Sequence, residues 1–102
     1  MLKISFLYSE DCPSHHEALN RLRKIIDQEG VAAKIEIVKV KNNQEAVTLH
    51  LRGSPTILMD GVDIDPNSTE QFGLGCRVYR LEDGRISPLP SESMIRKALR
   101  GA

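Results

Sequence analysis

The sequence predicts an α/β domain: a four-stranded mixed sheet with helices on both faces, in the order β-α-β-α-β-β-α. Three observations carry that expectation. Residues 2–8 and 34–41 read as strands and enclose a run at helical spacing, 13–29. A strand, a helix and a second strand in succession call for a parallel pair joined by a crossover. The chain then closes on a further amphipathic run, so helices are available for both faces of the sheet. At 102 residues the expected organisation is one domain spanning 1–102.

The elements follow in order. "LKISFLY" alternates Leu2, Ile4, Phe6 and Tyr8 against Lys3, Ser5 and Leu7. Period-two alternation with β-branched and aromatic residues is a strand pattern, and Leu7 on the second face predicts burial on both sides. From Pro13 to Glu29, Ala18, Leu19, Leu22, Ile25 and Ile26 share one helical face, and Gly30 supplies the stop. Pro13 suits a first helical position, which makes Cys12 the cap. "KIEIVKVK" is the second strand, its lysines suited to a sheet edge. The apolar phase shifts between Ile37 and Val38, which predicts a bulge or a two-faced end.

A short helix spans about 43–51, opened by a capping-box pattern of Asn42 and Glu45. "SPTILMDG" is the third strand, closed by the Asp60-Gly61 turn. Residues 60–75 have no clear pattern, and long loops are often functional. "CRVYRLEDG" reads as the fourth strand, and "SESMIRKALRG" as a final helix with Met94, Ile95, Ala98 and Leu99 inward and Gly101 as its stop.

Composition narrows the function. Fourteen basic and fourteen acidic residues balance to zero formal charge. Nucleic-acid binding rests on clustered cations, so no nucleic-acid partner is expected. No segment reaches the apolar length of a membrane helix, so no membrane partner is expected either. The first apolar segment is short and lacks a cleavage pattern, which predicts a cytoplasmic protein with reduced thiols.

Chemistry concentrates in "SEDCPSHHEALNRL", residues 9–22. A helix N-terminus carries free N–H donors and a partial positive charge, and both favour a thiolate at Cys12. A protonated His15 or His16 acts in the same direction, whereas Glu10 and Asp11 oppose it. The alternative is an inert capping cysteine. His15 is either a tuning or proton-accepting partner of Cys12 or a solvated first-turn histidine. Cys12, His15 and His16 lack a fourth zinc ligand, and "DGVDIDPNSTE" lacks the glycine and final glutamate of a calcium loop, so no metal is expected.

The element order, Cys12-Pro13-Ser14-His15 at the first strand-to-helix turn, and Arg52-Gly53-Ser54-Pro55-Thr56 opening the third strand together resemble the thioredoxin-like superfamily. The resemblance covers essentially the whole chain. The first motif is similar to Cys-x-x-Cys with His15 in the second cysteine's place. The second is similar to the segment that carries the family's cis-proline. The resemblance implies that Cys12 is a redox thiol tuned by His15. It also implies that the backbone of Ser54, turned by Pro55, pairs with an extended thiol substrate. Thr56 and Arg52 are candidate substrate contacts. Glutathione or protein thiols and disulfides are then the partners, with no cofactor beyond glutathione as a co-substrate. No Trp precedes the motif, and the segment before Cys76 is long.

Cys76 is the candidate resolving thiol. In the simple strand order it begins a strand at the end of the sheet far from Cys12, unless residues 60–75 loop back. Otherwise it is a buried, inert cysteine. Two further functions stand beside the thiol–disulfide reading: a non-enzymatic binding domain on the same fold, and a thiol-based site for a soft metal.

Overall fold

The computed structural model describes residues 2–10, 14–65, 73–76 and 79–101, the stretch 73–76 by its backbone. Leu2–Tyr8 forms β1 and Ala33–Lys39 forms β2, paired in parallel from Leu2↔Ala33 to Tyr8↔Lys39. The helix between them, α1, spans His15–Glu29. Asn43–Leu49 is α2, Arg52–Ser54 is β3, Thr56–Met59 is β4 and Val62–Asp63 is β5. β4 runs antiparallel to β1, and β5 folds back along β4. The result is a mixed four-stranded sheet in the order β2-β1-β4-β5. Gly73–Cys76 (β6) lies parallel to β3. Tyr79–Arg80 (β7) and Ile86–Ser87 (β8) pair as a hairpin, and Glu92–Gly101 is α3.

The alternation in β1 explains the layers. Ile4 and Phe6, with Ile57 and Met59, pack against Ala18, Leu22 and Ile25 of α1 and Ile95 and Leu99 of α3. Leu7 points the other way, into a smaller cluster with Val40, Ala46 and Leu51 under α2. β1 is therefore buried on both faces, as its sequence predicts. Each such side chain contributes about 1.5–3 kcal/mol when withdrawn from water.

Local chemistry sets the helix ends. Gly30 closes α1 at φ 64°, a left-handed conformation that glycine adopts without a Cβ clash, and its N–H reaches the carbonyls of Asp27 and Ile26. Asn42 caps α2, with Oδ1 accepting the Glu45 N–H at 2.8 Å. The Glu45 carboxylate reaches back to the Lys41 N–H at 3.2 Å, one residue earlier than the usual capping box. His50 then turns left-handed at φ 64° and sends buried Leu51 inward.

Several expectations need correction. The N-cap of α1 is Ser14, not Cys12, so Cys12 stands two residues before the cap; Cys12 and Pro13 themselves lie outside the described residues. The expected third strand is broken at Pro55 into β3 and β4. The sheet's fourth strand is β5, directly after the Asp60-Gly61 turn, rather than the stretch beginning at Cys76. A tight turn makes the neighbouring antiparallel pairing the shortest connection, so the sheet closes before the chain reaches Cys76. Cys76 instead ends β6, which runs beside β3, so the simple strand order misplaced it. The register of β1 and β2 is unbroken, so no bulge separates Ile37 from Val38. The phase shift reflects two faces: Ile35 packs toward α1 and Val38 toward α2. Gly101 is the last residue of α3 rather than a stop beyond it.

Candidate functional site

The loop between β3 and β4 is held at three points. Gly53 takes φ 102°, in the left-handed region that favours glycine, and the Ser54–Pro55 peptide bond is cis. Thr56 Oγ1 donates to the Gly53 carbonyl at 2.7 Å and accepts the Arg52 N–H at 3.1 Å. Tyr79 Oη donates to the Pro55 carbonyl at 2.6 Å, and the whole Tyr79 side chain is buried. The third point is Ser54, whose Oγ accepts the Ser9 N–H at 2.9 Å across 45 residues of sequence. Ser9, Ser54 and Thr56 are all buried, and these bonds give the Ser9 N–H and the Ser54 and Thr56 hydroxyls the partners that buried polar groups require.

The Ser9–Ser54 bond fixes the loop against the end of β1. Ser9 follows that strand directly, and Cys12 comes three residues later. Three residues after Cys12, His15 opens α1. Its ring stacks on Tyr8 with centroids 4.4 Å apart and planes 22° apart. The His16 ring lies 4.1 Å from that of His15 at a tilt of 37°. Both described flanks of the Cys12 segment therefore belong to the same end of β1.

Charge around this end is organised by Lys39. Its Nζ meets Glu10 Oε1 at 2.6 Å. The hydrogen bond and charge of Lys39 pull the Glu10 carboxyl below its ordinary range, with a smaller contribution from His15. Glu10 holds the Lys39 ammonium above its own ordinary range in return. The Glu10 carboxylate, which the sequence sets against a thiolate at Cys12, is thus paired with a cation.

The other sequence-nominated residues sort by their contacts. Thr56 spends its hydroxyl on the loop backbone, so it shapes the wall. Arg52 turns its guanidinium toward the buried carboxylate of Asp63 at 4.0 Å. Cys76 stands in register with Ser54 on the neighbouring strand, which brings its backbone beside the loop. His50 is exposed at the end of α2. Tyr8 and Tyr79 complete the site and were not nominated by sequence. Tyr8 reads as one more position in an alternating strand, and Tyr79 as a strand aromatic without a visible partner. Only long-range pairing reveals either role.

A separate cavity of about 630 Å³ opens between α3 and the β4–β5 hairpin. Asp60, Asp63, Asp65 and Glu82 line it together with Arg80 and Lys97, so its wall carries both signs of charge. Among the described residues no group of three or more His, Cys, Asp or Glu side chains could hold a metal. No described helix is long and apolar enough to cross a membrane. No protein-family model matches the chain, and no curated protein matches it.

Proposed function

We propose that this chain is a thioredoxin-like thiol–disulfide exchange protein with Cys12 as its working thiol. The observation that carries the reading is the Ser9–Ser54 hydrogen bond. It couples the start of the segment bearing Cys12 to the Ser54-Pro55 wall, and the Tyr79 and Thr56 bonds hold that wall rigid. A site held by buried hydrogen bonds keeps a substrate groove in one geometry, which lowers the ordering cost of binding.

In the proposed reaction the Cys12 thiolate attacks one sulfur of a substrate disulfide, such as oxidised glutathione or a protein disulfide. The Cys12–substrate S–S bond forms as the original S–S bond breaks, and the second substrate sulfur leaves as a thiolate. His15 takes the proton from Cys12 beforehand or stabilises the thiolate as imidazolium. The Ser54 backbone aligns the extended substrate beside the wall. A further thiol then attacks the mixed disulfide and releases the bound half.

The register of Cys76 beside Ser54 supports a second route for that release. Cys76 as the attacking thiol would expel the substrate half as a thiolate and leave a Cys12–Cys76 disulfide. Two equivalents of glutathione would restore both thiols. Without Cys76, an external glutathione performs the release directly.

The test is to incubate the protein with oxidised glutathione and identify adducts by mass spectrometry. The wild type should form a glutathione adduct at Cys12 or an internal disulfide, and Cys12→Ser should form neither. Accumulation of the Cys12 adduct in Cys76→Ser, but not in wild type, supports the internal route. A wild-type Cys12 thiol that titrates near the free-cysteine value of about 8.5 and reacts no faster than free cysteine overturns the reading. Partner binding unaffected by Cys12→Ala would then favour a scaffold, and thiol-dependent uptake of mercury or copper would favour a soft-metal site.

A further inference from the structure

We infer that the cavity between α3 and the β4–β5 hairpin binds a small apolar monocarboxylate, its anion held by Arg80 and Lys97. The cavity lies at the end of the sheet away from Ser9. On β4, Thr56 pairs with Leu7 of β1 and Met59 with Ile4, and Asp60 then donates its N–H to the Lys3 carbonyl at 2.8 Å. The inference therefore stands apart from the Cys12 reading. The space of about 630 Å³ falls within the range of small-molecule sites, about 300–1,000 Å³.

Helix α3 supplies one wall by its spacing. Ile95 and Leu99 enter the core, and Arg96 and Arg100 meet Glu29 of α1. Met94, Lys97, Ala98 and Gly101, at positions i, i+3, i+4 and i+7, make a third stripe and line the cavity. Met59 and Ile64 line it from the hairpin side. Met59 is buried, and Ile64, Met94 and Ala98 are half-buried, so this part of the wall can cover an apolar body.

The charges of the wall differ in what already holds them. Asp60 Oδ1 accepts the Lys3 N–H at 3.0 Å, and Glu82 Oε1 accepts the Ser91 hydroxyl at 2.8 Å. Asp63 accepts the Asp65 N–H at 2.8 Å and faces Arg52. Among the described residues, the side chains of Arg80 and Lys97 make no hydrogen bond or ion pair, although both line the cavity. Their donors are free for a guest. A guanidinium binds a carboxylate through two parallel hydrogen bonds, and the ammonium adds a second cation to the same wall. The neighbouring carboxylates repel further negative charge, so the wall favours a single carboxylate over a phosphate dianion.

The probe is hydrocinnamate, a phenyl ring on a short carboxylic acid, titrated into the isotope-labelled full chain and followed by NMR. Its methyl ester, phenylpropylammonium and inorganic phosphate are titrated in parallel. Hydrocinnamate should give saturable shifts at Met59, Ile64, Met94 and Ala98. It should bind at least about tenfold tighter than the ester or the ammonium. The double change Arg80→Gln with Lys97→Gln should weaken it at least about tenfold and leave the ester's affinity unchanged. Both side chains are exposed, so the urea midpoint should hold, which separates lost binding from lost folding. Four results overturn the inference: no saturable shift at those residues in wild type, an ester or ammonium that binds as tightly, an unchanged affinity in the double variant, or displacement of hydrocinnamate by an equal concentration of phosphate. The first, second and fourth are read on the wild type and need no variant to fold.

Discussion

Tyr79→Phe isolates the bond that holds the Pro55 carbonyl. The tyrosine ring is fully buried and its hydroxyl donates to that carbonyl at 2.6 Å. Phenylalanine keeps the ring, so packing is retained and no large cavity opens. The hydroxyl's removal leaves a buried carbonyl short of a donor, which costs about 1–3 kcal/mol. For a domain of this size, each 1 kcal/mol lowers the melting temperature by about 4–8 °C. With a urea m-value of about 2 kcal/mol/M, a loss of about 2 kcal/mol moves the midpoint down by about 1 M. The assay is equilibrium urea unfolding of both proteins, followed by far-UV circular dichroism. An unchanged m-value is required for the shift to report stability alone. A midpoint within about 0.2 M of wild type, with m unchanged, would refute the reasoning. It would mean that water or another donor serves Pro55 equally well. Tyr79→Ala should be worse, at about 3–5 kcal/mol, because a cavity is added to the lost bond.

Two further predictions test the neighbouring contacts. Ser54→Ala should leave the buried Ser9 N–H without its acceptor and cost about 1–3 kcal/mol; the Ser9 amide should then exchange with deuterium markedly faster, whereas unchanged protection would sever the link between the two segments. Lys39→Gln should raise the Glu10 carboxyl titration midpoint toward that of a free glutamate, read by NMR, because Lys39 is the main cause of its depression. The sign follows from linkage. A carboxyl held low in the folded state contributes stability above its unfolded value of about 4.3 and loses that contribution as pH falls through the folded value. Lys39→Gln should therefore flatten the loss of stability below that pH, and an unmoved Glu10 midpoint would show the ion pair to be idle in solution.

The electrostatic setting of Glu10 changes once the fold is known. In sequence, Glu10 and Asp11 are two acidic residues immediately before a thiol, and both disfavour its ionisation. In the fold, β2 brings Lys39 alongside Tyr8, and its ammonium then reaches Glu10. A contact between two exposed side chains at this distance is screened by salt. The lowering of the Glu10 carboxyl by Lys39 should therefore weaken as ionic strength rises.

What could be read without the structure was local. Helix α1 followed from Ala18, Leu22 and Ile25 at helical spacing, and its end from Gly30, because both depend on residues within one or two turns. Strand β1 and its burial on both faces followed from alternation plus Leu7. The Asn42 cap needed only a side chain three residues from its partner. Even the order of the first strand, helix and strand rests on nearest-neighbour connection.

The tertiary structure decided what depends on residues far apart in the chain. Val62–Asp63 became the fourth strand because the Asp60-Gly61 turn delivers it straight to β4, and two residues are too few to announce a strand by pattern. Gly73–Cys76 came to lie beside Arg52–Ser54 through backbone hydrogen bonds, which any residue except proline can make and which leave no side-chain signature. The Ser9–Ser54, Tyr79–Pro55 and Tyr8–His15 contacts likewise join positions with no periodic relation. The sequence by itself determined which residue types stand near the first strand–helix turn. Which of them face one another was settled only when the sheet brought its strand ends together.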